Sequence, residues 1–249
     1  MFPIRISVVT LNLWRDHRWG ERAPAVEQCL QTLQPDIVCF QELCRKTVGE
    51  LDRILSRYRR VDDPFEGWGL ENNIYWKRDH LELLDYGTEP LQVPQKNQRR
   101  RLYWVRLKLA QGGGKTLLAG TAHFTVQSHP DEFKTGRSPR IEQANRTVAA
   151  LDRLSRDDEP VLFMGDMNDV ENVNMIFHNA GYSNCFSALN LPVRDTFPAQ
   201  PTAQNWVERP LDWIFANARA RCVAATVARF YHGDFAPSDH WPVLAVYEL

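Results

Sequence analysis

A chain of 249 residues, 43% hydrophobic and 24% charged, is long enough to bury a sizeable core and is too apolar to be disordered. Its formal charge of −1 supplies no global field for nucleic acid, so any recognition of a charged partner must be local. No run of roughly 18 apolar residues reads as a membrane span, and five cysteines without a C-x-x-C pair argue against a disulfide framework and for a cytoplasmic protein.

The opening MFPIRISVVTLNLW lacks a long apolar run or a small-residue cleavage site and reads as a strand over 4–12 rather than an export signal. In RAPAVEQCLQTL, Val26, Cys29, Leu30 and Leu33 recur at helical spacing, with Pro24 in the first turn. DIVCFQE (36–42) is a short run of buried-strand type, and Leu51, Ile54, Leu55 and Tyr58 form the stripe of a second helix. From residue 73 the rhythm changes to strands joined by short turns: NIYWKRD, LELLDYG, then RLYWVRLKLA and KTLLAGTAHF around the hairpin-like QGGG. A helix with Ile141, Ala144, Val148, Leu151 and Leu154 leads into the strand PVLFMGD. Strands resume at LDWIFA (211–216), CVAATVARFY (222–231) and WPVLAVYEL (241–249). Alternation of α/β units with antiparallel meanders predicts a two-sheet sandwich with outer helices, one domain over 1–249.

Polar residues collect at the ends of these strands. Asn12 closes the first, Glu42 the second and His123 the GTAHF strand; Asp166 and Asn168 follow VLFMG, Asp212 opens LDWIF, and Asp239 and His240 precede the last. Any one of them, PSDHWPV included, reads in isolation as a turn. Neighbours in an extended segment point to opposite faces, so Asp239 and His240 must answer to different partners. Recurrence at strand after strand points to a shared site.

LNLW, FQEL, TAHF, MGDMN, RPLDWIF and PSDHWPV, in this order across residues 4–249, resemble the endonuclease/exonuclease/phosphatase superfamily, and ENNIYWKRDHLELLDYG resembles a stretch of its bacterial members. The resemblance implies an α/β fold, the DNase I-like four-layer αββα sandwich of two mixed, largely antiparallel sheets flanked by helices. It also implies hydrolysis of a phosphate ester with Mg²⁺ or Mn²⁺ as cofactor. A phosphodiester repels nucleophiles, so catalysis needs a cation on its oxygens, an oriented water and a proton source. Carboxylates and amides are the hard ligands such a cation takes.

On this basis Glu42 is the direct metal ligand, with Asn12 and Asp239 completing the cation's surroundings. Asp166 orients or deprotonates water, and Asn168 donates to a phosphoryl oxygen. His240 contacts phosphate and moves a proton, oriented by Asp212. His123 is a second imidazole, in T-A-H-F where the family pattern is closer to T-H-L. His17, His80, His129, His178 and His232 carry no such role.

Substrate is less legible. QKNQRRRLYWVRLK (95–108) carries Lys96, Arg99, Arg100, Arg101, Arg106 and Lys108 without an acid, which suits either a phosphate-rich polymer or a solvated edge. Arg101 and Trp206 are the candidate substrate contacts, and the polar loop 125–140 could cover the site. A phosphodiesterase or nuclease, acting as a monomer on a phosphate ester with nucleic acid among the candidates, is therefore the expectation. The alternatives are a phosphomonoesterase, a lipid or small-molecule phosphodiesterase, and a binding module without turnover.

Overall fold

The computed structural model describes residues 3–91, 100–203 and 206–249. The first half runs β1 (Arg5–Asn12), α1 (Trp19–Leu33), β2 (Ile37–Gln41), α2 (Arg45–Ile54), β3 (Tyr58–Arg60), α3 (Gly67–Leu70), β4 (Asn72–Lys77), β5 (Leu81–Pro90) and β6 (Arg101–Leu109). The second half runs β7 (Thr116–His123), α4 (Pro130–Thr135), α5 (Pro139–Leu154), β8 (Val161–Asp166), α6 (Asn172–Asn179), β9 (Ser183–Asn184), β10 (Asp212–Ala216), β11 (Arg221–Val227) and β12 (Val243–Glu248).

Two six-stranded sheets form, ordered β11-β12-β1-β2-β4-β3 and β5-β6-β7-β8-β10-β9. Each has one parallel pair, β1 with β2 and β7 with β8, and is otherwise antiparallel. The sheets pack face to face through Ile6, Val8, Ile37, Cys39, Ile74, Leu117, Ala119, Leu162, Met164 and Ile214. Helices α1 and α2 cover the outside of the first sheet with Val26, Leu30 and Leu51 against Val9, Leu11, Val38 and Phe40. On the far side α5 and α6 pack Ala144, Leu151 and Phe177 against Leu118, Phe163 and Phe215. The four layers follow from strands that are apolar on both faces.

Strand parity then aims the polar ends. Side chains two apart share a face, so the residues that continue the inter-sheet rows are Asn12 after Val8 and Thr10, His123 after Ala119 and Thr121, and Asp166 after Leu162 and Met164. Asp212 leads the row of Ile214 and Ala216. Below them a buried polar rung joins the sheets: Gln41 Nε2 donates to Thr121 Oγ1 (2.9 Å), and Thr10 Oγ1 donates to Gln41 Oε1 (3.2 Å).

Two readings of the sequence are corrected. Tyr58 is not on α2, which ends at Ile54; it opens β3, and its hydroxyl donates to the Pro35 carbonyl at 2.5 Å. Leu51, Leu55 and Tyr58 nonetheless pack in one cluster, because the chain turns without leaving the core they share. Loop 125–140 is also not structureless, since it holds α4 and the start of α5.

Candidate active site

The strand ends converge on one cleft of about 660 Å³ lined by Glu42, His123, Asp166, Asn168, Asp239 and His240. Register accounts for the second sheet's share. His123 sits opposite Asp166 in the parallel β7–β8 pair, and Asp166 sits opposite Asp212 in the antiparallel β8–β10 pair. On the first sheet Asn12 ends β1, and Glu42 follows β2 with φ 54°, a left-handed turn that swings its side chain off the strand's alternation.

Asn12 bridges the two sheets: its Nδ2 donates to Asp166 Oδ2 (2.9 Å) and to Glu42 Oε1 (3.2 Å), while its Oδ1 accepts from the Trp14 amide (2.9 Å). The Asn168 amide N–H donates to Asp166 Oδ1 at 2.9 Å, and its Nδ2 lies 3.2 Å from His123 Nε2 and donates to the Phe124 carbonyl. His123 Nε2 is 3.4 Å from Asp166 and 3.9 Å from Glu42. His240 Nδ1 meets Asp212 Oδ2 at 2.7 Å and turns Nε2 toward Asp166, 3.9 Å away. Its neighbour Asp239 accepts from Ser238 Oγ at 3.0 Å. Asp239 and His240 thus keep separate company.

Burial sets the charges. It pushes the Asp166 carboxyl up, to about 7, with Asp212 adding and His240 and Asn12 opposing. Asp239 is also raised by burial, opposed by His240 and helped by Glu42. Burial works against the charged form of His240, yet Asp212, Asp166 and Asp239 hold its imidazole protonated well above the usual range. His123 goes the other way, held neutral by burial and by the nearby Arg100 and His240. The buried Asp212 Oδ1 has no hydrogen-bond partner among the described residues, so the His240 charge is what compensates that carboxylate.

Donor chemistry suits a hard divalent cation at Glu42, Asn12 and Asp239. These are oxygen-bearing groups, and among the described residues neither carboxylate forms an ion pair with a lysine or arginine. Asp166, Asp212 and His240 also lie close enough to hold an ion. We read that trio instead as a hydrogen-bonded relay, because His240 Nδ1 is already engaged by Asp212.

The candidate substrate contacts divide. Trp206 lines the cleft, 65% exposed, with its ring 5.8 Å from Phe197, which in turn packs on His240 at 4.8 Å. Arg101 does not line it: it opens β6 on the face of Tyr103 and Val105, but its Nε donates to Thr88 Oγ1 and its guanidinium lies over Phe65, which hold it at the edge of the sheet. The half-buried Arg100, one residue earlier, faces the cleft. Lys96 and Arg99 lie outside the described residues. Lys108 sits 3.7 Å from Glu82, and Arg106 is buried against Glu159 at 2.9 Å. Glu159→Gln should therefore destabilise the fold by about 3–5 kcal/mol, because it leaves a buried guanidinium with only the largely exposed Asp85, 3.8 Å away, as counter-charge. A denaturation midpoint unchanged from wild type would show that water reaches the pair.

His17, to which the sequence assigns no role, lines the cleft, as do Arg209 and Phe133, which it does not single out. Arg22 had a legible signal, since it precedes Val26 by four residues and so puts a charge on the apolar stripe of α1. Nothing in the sequence separates Arg100 from Arg101, because the partners that take up Arg101, Thr88 and Phe65, come from other segments.

The family model for the endonuclease/exonuclease/phosphatase family matches residues 9–240. Comparison with curated proteins by sequence finds no match. Among solved structures, the chain is similar to an endonuclease/exonuclease/phosphatase from Bacteroides vulgatus, with 20% identity, TM-score 0.82 and 99% of each chain covered. It is similar to a Bacteroides thetaiotaomicron mannosyl-6-phosphatase, with 20% identity, TM-score 0.79, and 98% of this chain and 100% of that one covered. It is also similar to D. rerio TDP2 complexed with single strand DNA product, with 18% identity, TM-score 0.79, and 98% and 99% covered. Because the family match spans almost the whole chain, the protein belongs to the endonuclease/exonuclease/phosphatase family and is a metal-dependent hydrolase of phosphate ester bonds.

Proposed function

We propose that the protein is a Mg²⁺-dependent phosphodiesterase that acts as a single-domain monomer in the cytoplasm, where its five free cysteines suit a reducing environment. The observation that carries the reading is that Glu42, His123, Asp166, Asn168, Asp239 and His240, from two sheets, line one cleft, with Asn12 bonded to Asp166 and Glu42 and with Asp212 bonded to His240. When bound, the cation neutralises charge on the phosphoryl oxygens. Glu42 would hold it, with Asn12 and Asp239 completing the set.

Asp166 accepts the proton of the attacking water, and Asn12 and the Asn168 N–H fix its two oxygens for that task. Asn168 and the neutral His123, in contact at 3.2 Å, form the polar wall on which the phosphoryl group rests, while His240, its ring fixed by Asp212, gives its Nε2 proton to the oxygen that leaves as its bond to phosphorus breaks. Arg100 adds a cation for the phosphate, and Trp206 offers a face to the group esterified to it.

A short substrate is favoured over a long polymer, because Arg106 is spent inside the fold and Arg101 is engaged by Thr88 and Phe65. Arg100→Ala should lower kcat/KM about tenfold or more, whereas Arg101→Ala should change it little. Trp206→Ala should raise KM while leaving kcat near wild type, as loss of uniform binding does. The substrate class follows from a screen of DNA, RNA, phosphotyrosyl-DNA, phosphoinositides, sphingomyelin, sugar phosphates and small phosphodiesters with Mg²⁺ or Mn²⁺. Turnover of a small diester supports the proposal. Turnover restricted to nucleic acid, with a steep salt dependence, would favour the nuclease alternative.

A further inference from the structure

Arg22 is completely buried at the start of α1, and among the described residues none of its hydrogen bonds goes to a carboxylate. Its Nη1 donates to the Pro237 carbonyl (2.6 Å), its Nε to the His17 carbonyl (2.7 Å) and its Nη2 to the Arg15 carbonyl (3.3 Å). The rings of Trp14 and Trp19 lie 5.4 and 5.5 Å from the guanidinium carbon.

The two segments so fastened both serve the cleft. One is residues 14–18, where Trp14, Arg15 and Arg18 have left-handed backbones that non-glycine residues rarely adopt, and whose Trp14 and His17 line the cleft. The other is the turn that leads two residues on to Asp239. A buried cation held mainly by carbonyls is costly, and an apolar side chain would serve packing alone at least as well. Asp239 and Glu42 act on its charge more strongly than Asp16 does, and so compensate it in part. The planar fork can reach three acceptors in two segments at once, and a lysine head cannot reproduce that geometry.

We propose that Arg22 is a positioning residue for the cation site: by fastening residues 14–18 to the turn before Asp239, it fixes where Asp239 stands at the cleft. This rests on the assignment of Glu42 and Asp239 to the cation. A displaced Asp239 still carries its charge but meets the ion in poorer geometry, so affinity falls although the fold persists.

The test is a Mn²⁺ titration of the purified protein, with free Mn²⁺ followed by electron paramagnetic resonance, for wild type, Arg22→Lys, Arg22→Met and Arg106→Lys. Arg106 is a second buried arginine, bonded to Glu159 and outside the cleft, so its variant reports general loss of packing. We expect Mn²⁺ affinity to fall about tenfold or more in both Arg22 variants and to stay at the wild-type value in Arg106→Lys. Unchanged affinity in Arg22→Lys would overturn the proposal, even if Arg22→Met fails to fold. Tighter binding in Arg22→Met would overturn it too, because Arg22 would then act only as a repelling charge. An equal fall in Arg106→Lys would make the effect one of stability alone. Wild-type protein that binds no Mn²⁺ would instead remove the cation assignment, and this inference with it.

Discussion

His240→Ala should lower kcat by ~10²-fold or more while changing Mn²⁺ affinity little, since it removes a phosphate contact and a proton-transfer group but no metal ligand. Asp212→Asn should resemble it. The 2.7 Å contact between Asp212 Oδ2 and His240 Nδ1 is what holds the imidazole in place and sustains its charge in a buried site. An asparagine at 212 keeps the shape and loses the charge, so the imidazole is left protonated less readily. The double variant should cost little more than either single one, because the two side chains act as a unit. Steady-state kinetics with saturating Mg²⁺ reads all three. Full additivity would break the coupling and require another carboxylate to orient His240.

Glu42→Gln should cost more, beyond ~10²-fold in activity, given that loss of a group merely supporting a metal ligand costs 10–100-fold. The amide preserves length and the contact with Asn12 but loses the charge that holds a hard cation. The half-saturating Mg²⁺ concentration should rise steeply, and calorimetric titration with Mn²⁺ should show weak or no binding. Asp239→Asn should shift the same metal dependence by less. A Glu42→Gln enzyme with wild-type metal dependence would move the direct ligand elsewhere, with the Asp166–Asp212–His240 trio the next place to look.

Much of this site is legible in the sequence because strand parity is a local property. Asn12, His123, Asp166 and Asp212 continue rows that begin with core residues of their own strands, so apolar alternation already aims them at one layer. Adjacency likewise separates Asp239 from His240, and the structure gives them Ser238 and Asp212 as distinct partners. What the sequence hides is register between strands and contact between loops. Arg100 and Arg101 are equivalent on paper, yet Arg101 is taken up by Thr88 and Phe65 while Arg100, just before β6, lines the cleft. Arg106 looks like a surface cation until Glu159, 53 residues away, closes on it. Tyr58 keeps helical spacing with Leu51 and Leu55 although α2 has already ended, because periodicity records a buried face and not the point where a helix stops.

The most direct measurement is release of p-nitrophenol from bis(p-nitrophenyl) phosphate by wild type and Asp166→Asn, each with Mg²⁺ and with excess EDTA. Asp166 is the base of the proposed reaction, and Mg²⁺ its only cofactor. We expect hydrolysis from wild type with Mg²⁺ and none in the other three conditions. Hydrolysis that survives EDTA, or that persists in Asp166→Asn, would contradict metal-dependent phosphodiester cleavage at this cleft.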